Sequence, residues 1–172
     1  MPTVRLFLRL VFGLAFFLCG AYCIAGSYTG ATVSVSTTVS ANCTVSTLPV
    51  NFGSYDPVGT NKTNALPASG NVTIACVGGS APTIALGLGA NASGTTRRMK
   101  NTASADYLSY ELYQPPCLPL SVVWGTAGSN LFSPGSPSTS AARSYSICGN
   151  VPAGQDPRIG TYNDTITATV NF

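Results

Sequence analysis

Gly160-Thr161-Tyr162-Asn163-Asp164-Thr165-Ile166-Thr167-Ala168-Thr169-Val170-Asn171-Phe172 carries a two-residue period through its second half. Ile166, Ala168, Val170 and Phe172 fall on one face, and Thr165, Thr167, Thr169 and Asn171 on the other. That is the pattern of a half-buried strand, with Phe172 expected in the buried row. A second stripe lies near the other end of the chain, where Ala31, Val33, Val35, Thr37 and Val39 alternate with Thr32, Ser34, Ser36, Thr38 and Ser40. A β domain bounded by two such stripes either completes its sheet within itself or lends a strand to a neighbour.

Between the stripes the chain reads as short strands separated by turns. Residues 45–52 form a strand stopped by Gly53, and 54–59 are a turn. Strands are expected at 71–76, 83–88, 107–113, 122–124 and 144–148. Residues 91–100, with Arg97, Arg98 and Lys100, read as a solvated hairpin tip. Residues 128–140 are a loop rich in Ser, Gly and Pro, and 149–158 a polar connection. In the most aromatic strand Leu108, Tyr110 and Leu112 lie opposite Tyr107, Ser109, Glu111 and Tyr113, which puts Tyr110 in the core with Trp124 beside it. With 18 Gly, 12 Pro and only 8% charged residues, and no amphipathic segment three helical turns long, the expected class is an all-β sandwich.

Residues 1–25 read as an export signal: Arg5 and Arg9, an apolar run over 10–18, and a small-residue cleavage site at Cys23-Ile24-Ala25. Lipidation at Cys19 or Cys23 is the lesser reading, because Leu18 and Tyr22 before them are larger than a lipoprotein signal tolerates. Processing leaves 6 of the 8 basic residues against 5 acidic ones, a formal charge of +1, and 4 of the 6 cysteines. So small a charge argues against nucleic acid or polybasic membrane binding. Four cysteines in an exported chain point to two disulfides.

The sequence is poor in catalytic groups. It has no histidine, which excludes histidine-based triads and the common zinc sites. Its acidic residues, Asp56, Asp106, Glu111, Asp156 and Asp164, are scattered over turns and strand ends, and Asp164 reads as a hydrogen-bonding group near a turn. No catalytic, cofactor or metal residues are expected.

Several runs, read in order, carry a resemblance. They are Cys43, Leu48-Pro49-Val50-Asn51-Phe52-Gly53-Ser54-Tyr55-Asp56-Pro57, Val72-Thr73-Ile74-Ala75-Cys76, Arg98-Met99, Leu108-Ser109-Tyr110-Glu111-Leu112-Tyr113, Trp124-Gly125, Val151-Pro152-Ala153-Gly154-Gln155 and Gly160-Thr161-Tyr162-Asn163-Asp164-Thr165. Together they resemble the spore coat protein U domain family, which includes subunits of archaic, Csu-type chaperone–usher pili. The resemblance implies an incomplete immunoglobulin-like β-sandwich over 43–172, preceded at 26–42 by a donor strand segment. It implies a non-enzymatic subunit exported to the periplasm and then the cell surface, with a chaperone, an usher and neighbouring subunits as partners. Ala31, Val33, Val35, Thr37 and Val39 are then the donor residues. Taken by itself that stripe is equally the first strand of a self-complete binding module; the resemblance favours donation. Tip adhesins of the family carry a second domain, so a shaft or adaptor role is expected. Cys43 and Cys76 match the family's disulfide. Cys117 and Cys148 depart from its pattern and remain to pair with each other, or less readily with another chain.

Overall fold

The computed structural model describes residues 30–120 and 122–172. The expected export signal lies outside them. The chain divides into two units, Met1–Thr37 and Thr38–Phe172, and every strand among the described residues belongs to the second. In the first, residues 30–37 form no strand, with Val33 and Val35 84% and 92% exposed.

Eight strands follow: β1 (Cys43–Leu48), β2 (Leu66–Cys76), β3 (Thr83–Leu86), β4 (Arg97–Asn101), β5 (Tyr107–Tyr113), β6 (Arg143–Val151), β7 (Tyr162–Asn163) and β8 (Ala168–Asn171). Short 3-10 turns occupy Thr60–Lys62 and Gly128–Asn130, and no α-helix occurs among the described residues. One sheet has six strands in the order β1-β2-β6-β5-β4-β7, and β3 pairs with β8 in a second. All pairings are antiparallel. This is an immunoglobulin-like β-sandwich.

Alternation builds the core. Val72 and Ile74 of β2, Leu108, Tyr110 and Leu112 of β5, and Ile147 and Val151 of β6 turn inward to meet Ile84 and Leu86 of β3. Trp124 is fully buried; its indole nitrogen donates to Ile84 O at 2.8 Å, and its ring packs 5.0 Å from that of Phe132. The Tyr110 ring, in the same core cluster, meets Phe52 edge-on at 6.0 Å. Cys43 lies directly opposite Cys76 across β1 and β2 and is bonded to it; Cys117, in the loop after β5, is bonded to Cys148 on β6.

Four expectations need correction. Residues 97–101 are a strand between β5 and β7, and Arg97 is fully buried. Its inward row is Arg97, Met99 and Asn101, so the period is present while the apolar signal is not. The first strand stops at Leu48, where Pro49 lacks the N–H a ladder needs, and 49–55 run on outside any strand. Residues 122–124 form no strand; they meet the end of β5 at the Tyr113–Val123 bridge, where Trp124 N donates to Leu112 O and Gln114 N to Val122 O. The closing segment serves both sheets: β7, which precedes the stripe, pairs with β4, and β8, within it, pairs with β3. Phe172 lies beyond β8 and is 54% exposed, so it is outside the buried row that Ile166, Ala168 and Val170 half fill.

Candidate functional site

The sandwich has a gap in one wall. A groove of about 1090 Å³ runs along the second sheet, with β8 and the residues before it on one side and residues 49–55 on the other. Its floor is the core itself, including Leu108, Tyr110, Leu112, Ile147 and Val151.

Both sides have unspent backbone groups. Gly87 N donates to Thr167 O and Ala90 N to Thr165 O, so the odd-numbered residues of this segment spend their hydrogen bonds toward the β3 side. By antiparallel alternation, Ile166 and Ala168, which line the groove, offer theirs to its side. Across the gap, among the described residues, Gly53 N bonds only the Asn51 side chain and 49–54 make no ladder to any strand. Two free edges over an apolar floor are the complement of one extended strand.

Two glycines seat the far side. A Cβ on Gly149 would stand 2.7 Å from Val50 Cγ1 and 2.8 Å from Phe52 Cζ. One on Gly70 would stand 2.6 Å from Leu48 O. Both positions lie inside long strands, where a missing side chain marks a close approach by another segment. That was the available sequence signal for the 49–55 wall, and strand periodicity alone missed it. Tyr55 anchors the end of this wall, its hydroxyl donating to Pro152 O at 3.0 Å and accepting from Gln155 N at 3.0 Å.

Asp164 fixes the opposite side where the chain changes sheets. Its carboxylate accepts from Tyr110 Oη at 2.7 Å, Asn91 N at 3.1 Å and Asn91 Nδ2 at 3.0 Å. Burial, followed by the bond to Asp164, pushes the Tyr110 phenol well above its ordinary range. Gly89, at φ 95°, lies so close to the Asp164 carboxylate that no side chain fits there.

Arg97 closes the sandwich beside the floor. It donates to Leu86 O at 3.0 Å, Gly87 O at 2.8 Å and Trp124 O at 2.6 Å, and pairs with Glu111. β4 and β3 are thereby joined through one buried guanidinium whose donors have acceptors on several sides. Of the expected donor residues, Ala31, Val33, Val35, Thr37 and Val39 are all exposed and in no strand. Among the described residues, no group of three or more Cys, Asp or Glu side chains gathers as a metal site.

Comparison with known proteins bears on this geometry. The Spore Coat Protein U domain family matches residues 29–169. Protein U of Myxococcus xanthus is 39% identical over 132 residues, covering 72% of this chain and 71% of its own length. Among solved structures, a chain of the CsuC–CsuE chaperone–tip adhesion subunit pre-assembly complex, from the archaic chaperone–usher Csu pili of Acinetobacter baumannii, superposes with a TM-score of 0.55. It shares 24% identity over 78% of this chain, which spans only 41% of that chain's length. At that identity the likeness is one of fold.

Proposed function

This chain belongs to the Spore Coat Protein U domain family, and from that membership we propose that it is a non-enzymatic structural subunit of a chaperone–usher type surface pilus. The groove receives an extended strand from a neighbour, and the stripe Ala31, Val33, Val35, Thr37 and Val39 is the strand this subunit gives to the next. The observation that carries the reading is the groove: an apolar floor with unspent backbone groups along both sides. An added strand makes main-chain hydrogen bonds to such edges while every second side chain enters the floor. The donor stripe has the matching period, and its valines are exposed.

Export through the periplasm follows from this role. A periplasmic chaperone covers the groove until an outer-membrane usher exchanges it for the neighbour's strand. The archaic pilus complex matched in fold is itself a chaperone–subunit pair.

The test is Val33→Asp combined with Val35→Asp. A buried, unpaired carboxylate is strongly disfavoured, so the double variant is expected to bind chaperone through its intact groove yet form no polymer ladder. Intact ladders would sink the proposal. A wild-type protein that stays monomeric, and melts much earlier when so mutated, would identify a self-complemented module instead.

A further inference from the structure

The β8 side of the groove carries one charge in an otherwise uncharged row. Tyr162, Asp164, Ile166, Ala168 and Val170 are half-buried and alternate with exposed neighbours from Thr161 to Asn171. Asp164 lines the groove together with Tyr110 of the floor. The Asp164 Oδ1 atom accepts from Asn91 N and Asn91 Nδ2, and Oδ2 accepts from Tyr110 Oη at 2.7 Å. Tyr110 has thereby committed its phenolic proton. A carboxylate has about four lone-pair sites, and a phenol oxygen that donates can still accept. Among the described residues no further donor reaches either group, so the pair presents acceptors and no donor to whatever covers the groove.

The proposed donor stripe has the complementary arrangement. Ala31, Val33, Val35 and Val39 bring no side-chain donor, and Thr37 brings one hydroxyl. A valine over Asp164 would strip water from the carboxylate without replacing it, which is unfavourable. A threonine in the same place supplies the missing donor.

Backbone parity fixes how the two rows meet. Leu86, opposite Ala168 in the ladder, donates its N–H to Gly125 O, while Gly87 N and Ala90 N bond the carbonyls of Thr167 and Thr165. Ile166 and Ala168 therefore keep their backbone groups for the groove, and an inserted antiparallel strand sets its own inward row opposite them. With Thr37 opposite Asp164, Val35 falls opposite Ile166, Val33 opposite Ala168 and Val39 opposite Tyr162. On the outward face Ser36 then meets Thr165 and Ser34 meets Thr167, hydroxyl beside hydroxyl. A slip of two residues either way puts Val35 or Val39 over the carboxylate. A parallel strand with Thr37 in the same place carries Val33 to Gly160 and away from Ala168, and parallel pairing is the less stable per residue.

We propose that Thr37 of a second copy of this chain sets the register of the inserted strand, its hydroxyl donating to the Tyr110–Asp164 pair. The inference rests on the strand-exchange reading and adds to it the residue that decides where the strand stops.

The test is oxidative cross-linking of the full processed protein carrying Ser36→Cys with Thr165→Cys. Both positions are exposed. In this register they form a pair without mutual hydrogen bonds, with Cα atoms about 4.5 Å apart, within reach of a disulfide. Covalent ladders are expected in denaturant, with peptide mapping of the link. Ser34→Cys or Thr38→Cys combined with Thr165→Cys stands on a diagonal of about 7–8 Å and should stay unlinked. Val35→Thr with Thr37→Val moves the hydroxyl by two residues, so the link should move to the Ser34 and Thr165 positions. A peptide of residues 30–42 is also titrated against the Val33→Asp, Val35→Asp protein, whose own stripe cannot compete. There Thr37→Val in the peptide should weaken capture about tenfold, although it makes the strand more apolar. Linking through Ser34 or Thr38 with the wild-type stripe, no link from any of the three pairs in protein that still polymerises, a link that stays at Ser36 after the exchange, or undiminished capture of the Thr37→Val peptide would overturn the register and leave strand exchange standing. A link confined to monomers, or protein that forms no polymer, would overturn strand exchange and this inference with it.

Discussion

The second sheet has two margins, and the chain treats them in opposite ways. Beyond β3 the margin is closed: Phe132 bridges Ile84, Trp124 packs against Phe132, and Arg97 bonds the carbonyls of Leu86, Gly87 and Trp124. Beyond β8 the margin is open, with Ile166 and Ala168 lying half-buried along the groove. Backbone groups left unpaired away from water are costly, so such groups in folded proteins are nearly always satisfied. The closed margin obeys this rule from within the chain, whereas the open one faces the groove, where the proposed function places a neighbour's strand. The core is thus closed on one side and open on the other, as the proposed strand exchange requires.

The largest expected effect lies at the closed margin. Arg97→Ala strands Glu111 and frees three carbonyls, and removing one partner of a buried pair costs about 3–5 kcal/mol. Urea unfolding should show that loss both with and without a donor peptide in the groove. A loss much below that would mean that Trp124 and Phe132 close this margin by packing alone.

A smaller change acts on the open margin. Gly149→Ala drives a methyl against Val50 and Phe52, and such overpacking costs about 1–3 kcal/mol. Because it displaces the 49–55 wall, donor-peptide capture should fall more steeply than the stability of the empty domain. Equal losses in the two measurements would show that this wall does not shape the groove.

Tyr110 connects floor and margin. Tyr110→Phe removes the bond to Asp164 and should cost about 1.5 kcal/mol at neutral pH. The folded state raises this phenol's pKa, so it favours the protonated form. Stability from this source is therefore fully present below the unfolded value of about 10 and is lost as pH rises above it. Wild type should lose more stability than Tyr110→Phe between neutrality and strongly alkaline solution, and parallel pH profiles would remove Tyr110 from the account.

The smallest effect belongs to Phe172. At 54% exposure its truncation to Ala should shift the empty domain by about 1 kcal/mol or less. A much larger loss in thermal unfolding would place the ring in the core after all.

Much of the sandwich was legible in one dimension. The rows Val72 and Ile74, and Leu108, Tyr110 and Leu112, are apolar at period two, and the structure buries each of them. β4 was hidden because its inward residues are Arg97, Met99 and Asn101, whose burial depends on acceptors from distant segments. For the candidate groove, the sequence supplied the β8 row and the proposed donor stripe. It placed residues 49–52 in the first strand, whereas the position of 49–55 is set by Gly70 and Gly149, 15 or more residues away along the chain.

Local alternation, turn residues and cysteine content thus determined the all-β class, the approximate positions of most strands and the capacity for two disulfides, because each depends on neighbours within a few positions. Tertiary structure alone decided that Arg97 is interior, that the closing segment serves both sheets, and that among the described residues no strand lies between β8 and 49–55. Those outcomes depend on which backbone groups find partners across the fold, and hydrogen-bond satisfaction at a distance leaves no period in the sequence.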